Sequence, residues 1–138
     1  MQIFVPYANP IKTAKCLDNR RLNKQILETI QILSANTGID VGWKIPKYIY
    51  NHPNTLLWIK DSSYLVGYLA WLLVEYKKRR NKDHKGLDIL YRFFSSYILP
   101  CMFNEYTINH LTPEFCKQHQ QKLLEKDKKH YSRYFKRD

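Results

Sequence analysis

Residues 17–35 read LDNRRLNKQILETIQILSA. Leu22, Ile26, Ile30 and Leu33 recur three and four positions apart, the spacing that lines one face of an α-helix. Arg20, Arg21, Lys24, Glu28 and Gln31 fall on the opposite side. We expect one amphipathic helix from about Ile11 to Ala35, ended by Asn36-Thr37-Gly38.

A loop from Ile39 to Asn51 follows, holding Gly42, Trp43 and Pro46. Asn51-His52-Pro53 starts the next helix, since proline is tolerated at the first helical position. Asp61-Ser62-Ser63 is a cap or kink that opens a longer helix reaching about Arg80. Tyr64, Leu65, Tyr68, Leu69, Leu72, Leu73 and Tyr76 make that segment apolar nearly all round, so it should be the central buried helix. Its end, Lys77-Lys78-Arg79-Arg80, places cations at the negative pole of the helix dipole. Residues 86–99 read as a short helix closed by Pro100, and Thr112-Pro113-Glu114 opens a last helix to about His130. The tail from Tyr131 to Arg137 alternates aromatic and basic residues. No repeat and little strand alternation appear. The expected fold is all-α: one compact domain over 1–138, with about three main helices, long loops and an aromatic-basic C-terminal tail.

The chain carries 23 Lys+Arg against 12 Asp+Glu, a formal charge of +11. Such an excess repels itself and suits a polyanion, so nucleic acid is favoured over a solubility device or an anionic membrane surface. Pro6 interrupts the opening residues before an apolar core forms, so no secretory leader is expected. The longest apolar stretch, Tyr64 to Tyr76, is too short to span a bilayer. Cys16, Cys101 and Cys116 are odd in number and scattered, which reads as a reducing interior, cytoplasmic or nuclear. No metal site and no cofactor are expected; P-loop, GxSxG and HExxH patterns are absent.

Three features could carry chemistry. Arg20, Lys24 and Glu28 lie at i, i+4 and i+8 on one side of the first helix, with Arg21 and Gln25 beside them. A lone carboxylate among cations should keep a low pKa and serve as a charged catalytic group; ordinary ion pairs on a solvated face are the alternative. The tail could offer Tyr131 and Tyr134 to stack on bases and Arg133 to meet phosphates, or could pack back onto the core. Lys77, Lys78 and Arg79 could grip phosphates without sequence preference, or simply solvate a helix end. His52 before Pro53 could be catalytic or phosphate-binding, against a capping or packing role. Trp43, Tyr48 and Tyr50 are stacking candidates whose alternative is core packing.

The chain resembles the phage-type pyrimidine-dimer DNA glycosylases with AP-lyase activity. Leu17, Leu22 and Glu28 match the Leu-x4-Leu-x5-Glu pattern of that family's first helix, with Asp18 following Leu17. Asn51-His52-Pro53 with Leu57-Trp58, Glu75-Tyr76-Lys77-Lys78-Arg79, Lys122-Leu123-Leu124-Glu125-Lys126 and Tyr131-Ser132-Arg133-Tyr134-Phe135 extend the likeness, while no match is placed for segment 81–111.

The resemblance implies a metal-independent reaction on damaged or modified pyrimidines in double-stranded DNA, by a monomeric chain that does not engage membranes. An α-amine attacks C1′, expels the base and leaves an imine that permits strand cleavage, with a helix-one glutamate, here Glu28, assisting. α-Amines have a reference pKa of about 7.7–8.0, so a useful fraction is nucleophilic at neutral pH. The bulk of Gln2 disfavours removal of Met1, so the amine expected is that of Met1, with Lys24 as the alternative. DNA contacts would come from Arg20, Arg21, Gln25, His52, Lys77, Lys78, Arg79, Lys122, Lys126, Tyr131, Arg133 and Tyr134. A non-catalytic basic DNA- or RNA-binding protein on the same scaffold is the competing expectation.

Overall fold

A computed structural model describes residues 1–95 and 111–135. Among these the chain forms α1 (Pro10–Cys16), α2 (Asn19–Thr37), α3 (Lys47–Asn51), α4 (Pro53–Leu57), a turn of 3-10 helix (Ile59–Asp61), α5 (Ser62–Arg80), α6 (Leu87–Phe93), α7 (Pro113–Lys126) and α8 (Lys128–Tyr131). No strand occurs among the described residues. The all-α expectation holds, and α2, α5 and α7 are the three long helices.

The core forms where α2 packs along α5, the most extensive contact between elements. Leu22, Ile26, Ile30 and Leu33 of α2 are buried together with Leu65, Leu69, Leu72 and Leu73 of α5. Fully burying one such leucine is worth about 1.5–3 kcal/mol, so these two stripes fix the pairing. α5 is confirmed as the central helix, although Trp71 and Val74 remain exposed. No helix among the described residues is long and apolar enough to cross a membrane.

The single helix expected from Ile11 to Ala35 is broken in two. Leu17 and Asp18 take extended backbone angles, and the Asp18 carboxylate accepts the Arg21 N–H at 2.8 Å as the N-cap of α2. A side-chain acceptor at this point offers the backbone an alternative to continuing the helix. Arg79 spans the break from α5: its guanidinium donates to Asn19 Oδ1 (3.2 Å) and to the Ala14 and Lys15 carbonyls (3.3 and 3.2 Å), while pairing with Glu75 at 3.0 Å. α2 ends at Gly38, whose φ of 73° suits glycine and whose N–H caps the Ser34 carbonyl.

The last helix also divides. Asp127 leaves helical geometry and its side chain accepts the His130 N–H, so α7 stops at Lys126 and α8 begins at Lys128. The loop expected over 39–51 contains α3. The tail packs back onto the core: Tyr131 and Phe135 are buried and stack with centroids 5.7 Å apart. Segment 86–99 is helical over Leu87–Phe93; Pro100, Cys101, Lys136 and Arg137 lie outside the described residues.

Candidate active site

Residues 2–5 run extended with no strand partner, yet every backbone N–H in the run meets a side chain. Gln2 donates to Glu28 Oε2 (3.3 Å), Ile3 to Asn54 Oδ1 (3.1 Å), Phe4 to Gln25 Oε1 (2.8 Å) and Val5 to His119 Nδ1 (2.9 Å). Three nearby carbonyls are met in the same way. Gln25 Nε2 donates to the Gln2 oxygen (2.7 Å), the Tyr68 hydroxyl to that of Phe4 (2.9 Å) and Gln120 Nε2 to that of Pro6 (2.8 Å). Ile3, Phe4 and Val5 are buried. Buried backbone polar groups must find partners, and here α2, α4, α5 and α7 supply what a neighbouring strand otherwise would.

This segment delivers Met1 and Gln2 to a cavity of about 200 Å³, also lined by Phe4, Arg21, Lys24, Gln25, Glu28 and Lys126. The volume is below the ~300–1,000 Å³ of drug-sized ligand sites. Glu28 is half-buried at its edge. Its Oε2 accepts from the Gln2 N–H and from Gln25 Nε2 at 3.2 Å. Burial raises the Glu28 pKa; the Gln2 hydrogen bond, the N-terminal amine, Lys24 and Lys126 offset that rise in part.

The low pKa expected for this carboxylate is therefore corrected. Arg20 is exposed and does not line the cavity, while Arg21 is paired with Asp18 at 3.1 Å. Desolvation outweighs the cations that remain. A carboxyl tuned upward can move protons as well as carry charge.

The other expected residues separate into those gathered here and those placed elsewhere. Met1, Lys24, Arg21 and Lys126 meet at the cavity, and Lys122 is exposed one turn ahead of Lys126 on α7. Gln25 is 1% exposed, so the expectation of a DNA contact is corrected: all of its amide is spent inside the protein. His52 caps α4, its Nδ1 accepting from Asn54 N–H at 3.1 Å. That cap orients the residue whose side chain holds Ile3.

Arg79 is a structural clamp, not a free phosphate ligand, and Lys77 pairs with Asp83 at 3.1 Å. Lys78 is exposed, and the Arg79–Asn19 bond sets this helix end beside the start of α2 and Arg20. Tyr131 is buried with its hydroxyl accepting from Asp18 N–H, which removes it as a stacking surface; Arg133 and Tyr134 are exposed. Tyr48 and Tyr50 are exposed, whereas Trp43 packs partly against the core. The Cys16 thiol is pushed up to about 12 by burial and is no nucleophile at neutral pH.

Asn54, His119 and Gln120 were not singled out by sequence, and Tyr68 was read only as part of the central apolar helix. Isolated polar residues on otherwise ordinary helices, they declare themselves only when the extended segment lies against them. Among the described residues no group of three or more His, Cys, Asp or Glu is gathered closely enough to hold a metal ion.

The family model described as pyrimidine dimer DNA glycosylase matches residues 1–88. That span includes the extended segment, Lys24, Gln25 and Glu28; α7, with His119 and Lys126, lies beyond it. No curated protein and no solved structure matches the chain at a significant level.

Proposed function

The chain belongs to the pyrimidine dimer DNA glycosylase family, and from that premise we propose that the Met1–Glu28 cavity excises damaged pyrimidines from double-stranded DNA and then cleaves the strand. The observation that carries this reading is the meeting, on one small cavity, of the N-terminal residue, a carboxyl of raised pKa and the cations Lys24 and Lys126. Arg21 lines the same space.

In this mechanism the Met1 amine lone pair bonds C1′, and the glycosidic electron pair leaves with the base, which takes up a proton. The nitrogen then loses a proton, the sugar opens with O4′ protonated, and an imine results. Removal of a C2′ proton expels the 3′ phosphate. Glu28 is the group placed to give and take these protons, since burial brings it closer to neutral pH than a free carboxyl. Lys24 and Lys126, with Lys122, Arg20 and Lys78 further out, hold the phosphates while the damaged nucleotide leaves the stack. Arg133 and Tyr134 remain available for DNA. Every step uses an amine and an acid, so the reaction needs no metal or cofactor.

Reductive trapping tests the reading. Purified protein is incubated with UV-irradiated or abasic duplex and borohydride, then digested and mapped by mass. The expected adduct lies on Met1. Its appearance on Lys24 reassigns the nucleophile, and an adduct on Gln2 shows that Met1 had been removed. Bound duplex without any adduct overturns the imine mechanism and leaves a non-catalytic nucleic-acid-binding protein.

A further inference from the structure

The Gln25 side chain lies in the wall of the cavity, beneath Met1, Gln2 and Glu28. It is 1% exposed and uses its amide completely. Oε1 lies 2.8 Å from Phe4 N and 2.6 Å from the Tyr68 hydroxyl, while Nε2 lies 2.7 Å from the Gln2 oxygen and 3.2 Å from Glu28 Oε2. Chemistry fixes this orientation. Phe4 N–H can only donate and the Gln2 carbonyl can only accept, so a flipped amide would lose both bonds. Gln25 and Glu28 sit three residues apart on α2, hence on one face. Together they read both halves of the residue-2 peptide environment: Glu28 takes the N–H and Gln25 gives to the C=O.

We propose that Gln25 is the positioning residue of this site: it locks the extended segment in register and donates to Glu28, so that amine and acid keep one relative geometry. The proposal rests on the reading that these two groups perform the chemistry. Tyr68, fully buried on α5, backs the amide from behind and shares its one proton between Gln25 Oε1 and the Phe4 carbonyl. The groups facing Glu28 from the surrounding elements are Lys24 and Gln25 on α2, Lys126 on α7, Tyr68 on α5 and the N-terminal amine. The amine, the two lysines and the Gln25 amide favour the carboxylate directly, and the neutral Tyr68 hydroxyl supports it through Gln25 Oε1. Removing the Gln25 donor leaves one fewer hydrogen bond to the charged form, which moves Glu28 further toward the protonated state. It also frees the Gln2 carbonyl, and a reacting group displaced by about 1 Å can cost on the order of 100-fold in rate.

The experiment compares parent and Gln25→Met proteins on UV-irradiated duplex, together with an NMR titration of the Glu28 carboxyl carbon in the free protein. The expected result is kcat lower by about 10–100-fold with KM within about 2-fold, and a Glu28 titration midpoint moved upward. A kcat within about 2-fold of the parent overturns the proposal, as does any loss accompanied by an unmoved Glu28 titration. Should Gln25→Met fail to fold, Tyr68→Phe tests the same link more gently. It should shift both quantities in the same directions by smaller amounts, and a folded Tyr68→Phe with neither changed overturns the proposal. If the parent itself traps no adduct, the excision reading fails separately. In that event the titration alone decides: an upward move supports the Gln25–Glu28 link and a fixed midpoint refutes it.

Discussion

Replacing Arg79 by alanine should destabilise the fold by about 2–4 kcal/mol and leave the electrostatics of DNA binding almost untouched. The magnitude comes from what the guanidinium holds. It pairs with Glu75 at 3.0 Å and donates to Asn19 Oδ1 and to the Ala14 and Lys15 carbonyls at 3.2–3.3 Å. Hydrogen bonds to a charged group contribute about 1.5–3 kcal/mol each when well buried. Three of these lie at the long end of the range and two are exposed, so a simple sum overstates the loss. A few kcal/mol remains because the bonds close the break between α1 and α2, where the last α1 carbonyls have no helical partner. Urea denaturation should show the midpoint falling by about 1–2 M if the slope is near 2 kcal/mol/M. Duplex binding measured against salt should keep the parent slope, whereas Lys78→Ala should reduce that slope by about one and leave the urea midpoint alone. The opposite pattern, an Arg79→Ala protein of unchanged stability and shallower salt dependence, would make Arg79 a phosphate contact and refute the clamp.

Glu28→Gln should abolish excision yet raise thermal stability at pH 7. Burial lifts the folded-state pKa of Glu28, so its stabilising contribution is full below the unfolded value of about 4.3 and is lost as pH rises through the folded value. Melting curves at pH 7 and pH 4 check this: the advantage of the glutamine variant should shrink in acid, and an equal gain at both pH values counts against it. Tyr131→Phe should cost about 1–3 kcal/mol by stranding the Asp18 N–H, with duplex affinity preserved. Tyr134→Ala should do the reverse; a DNA-binding defect in Tyr131→Phe at full stability would restore the stacking role. Asn54→Ala should leave the Ile3 N–H without its acceptor and cost about 1–3 kcal/mol in denaturation while lowering the yield of the trapped adduct. A normal yield from a destabilised Asn54→Ala protein would show that Ile3 anchoring is irrelevant to the site.

The long helices were legible because their signal is periodic. Leu22, Ile26, Ile30 and Leu33 repeat often enough to define a face, and the all-round apolarity of residues 64–76 marks the element that others cover. The breaks at Asp18 and Asp127 were not, because one capping carboxylate in a helical pattern reads equally well as a solvated residue. At the site, Glu28 and Lys24 stood out by spacing, and Lys126 by the family resemblance. Arg20 shares the face of Glu28 but stands two turns away along α2, exposed and outside the cavity lining, a distance that spacing on one face does not weigh. Gln25 illustrates the remaining difficulty: its place among cations suggested an outward contact, while its partners lie in residues 2 and 4 and on α5. Nothing local to α2 announces an extended segment arriving from elsewhere.

Because residues 2–5 are held by side chains and not by a strand, their anchors are recruited from positions 21 to 114 residues away along the chain. The place of the segment is therefore defined jointly by α2, α4, α5 and α7. The placement of Met1 and Gln2 thus reports on assembly: the basic charge is carried by any state of the chain, whereas the lined cavity exists only where these helices have packed.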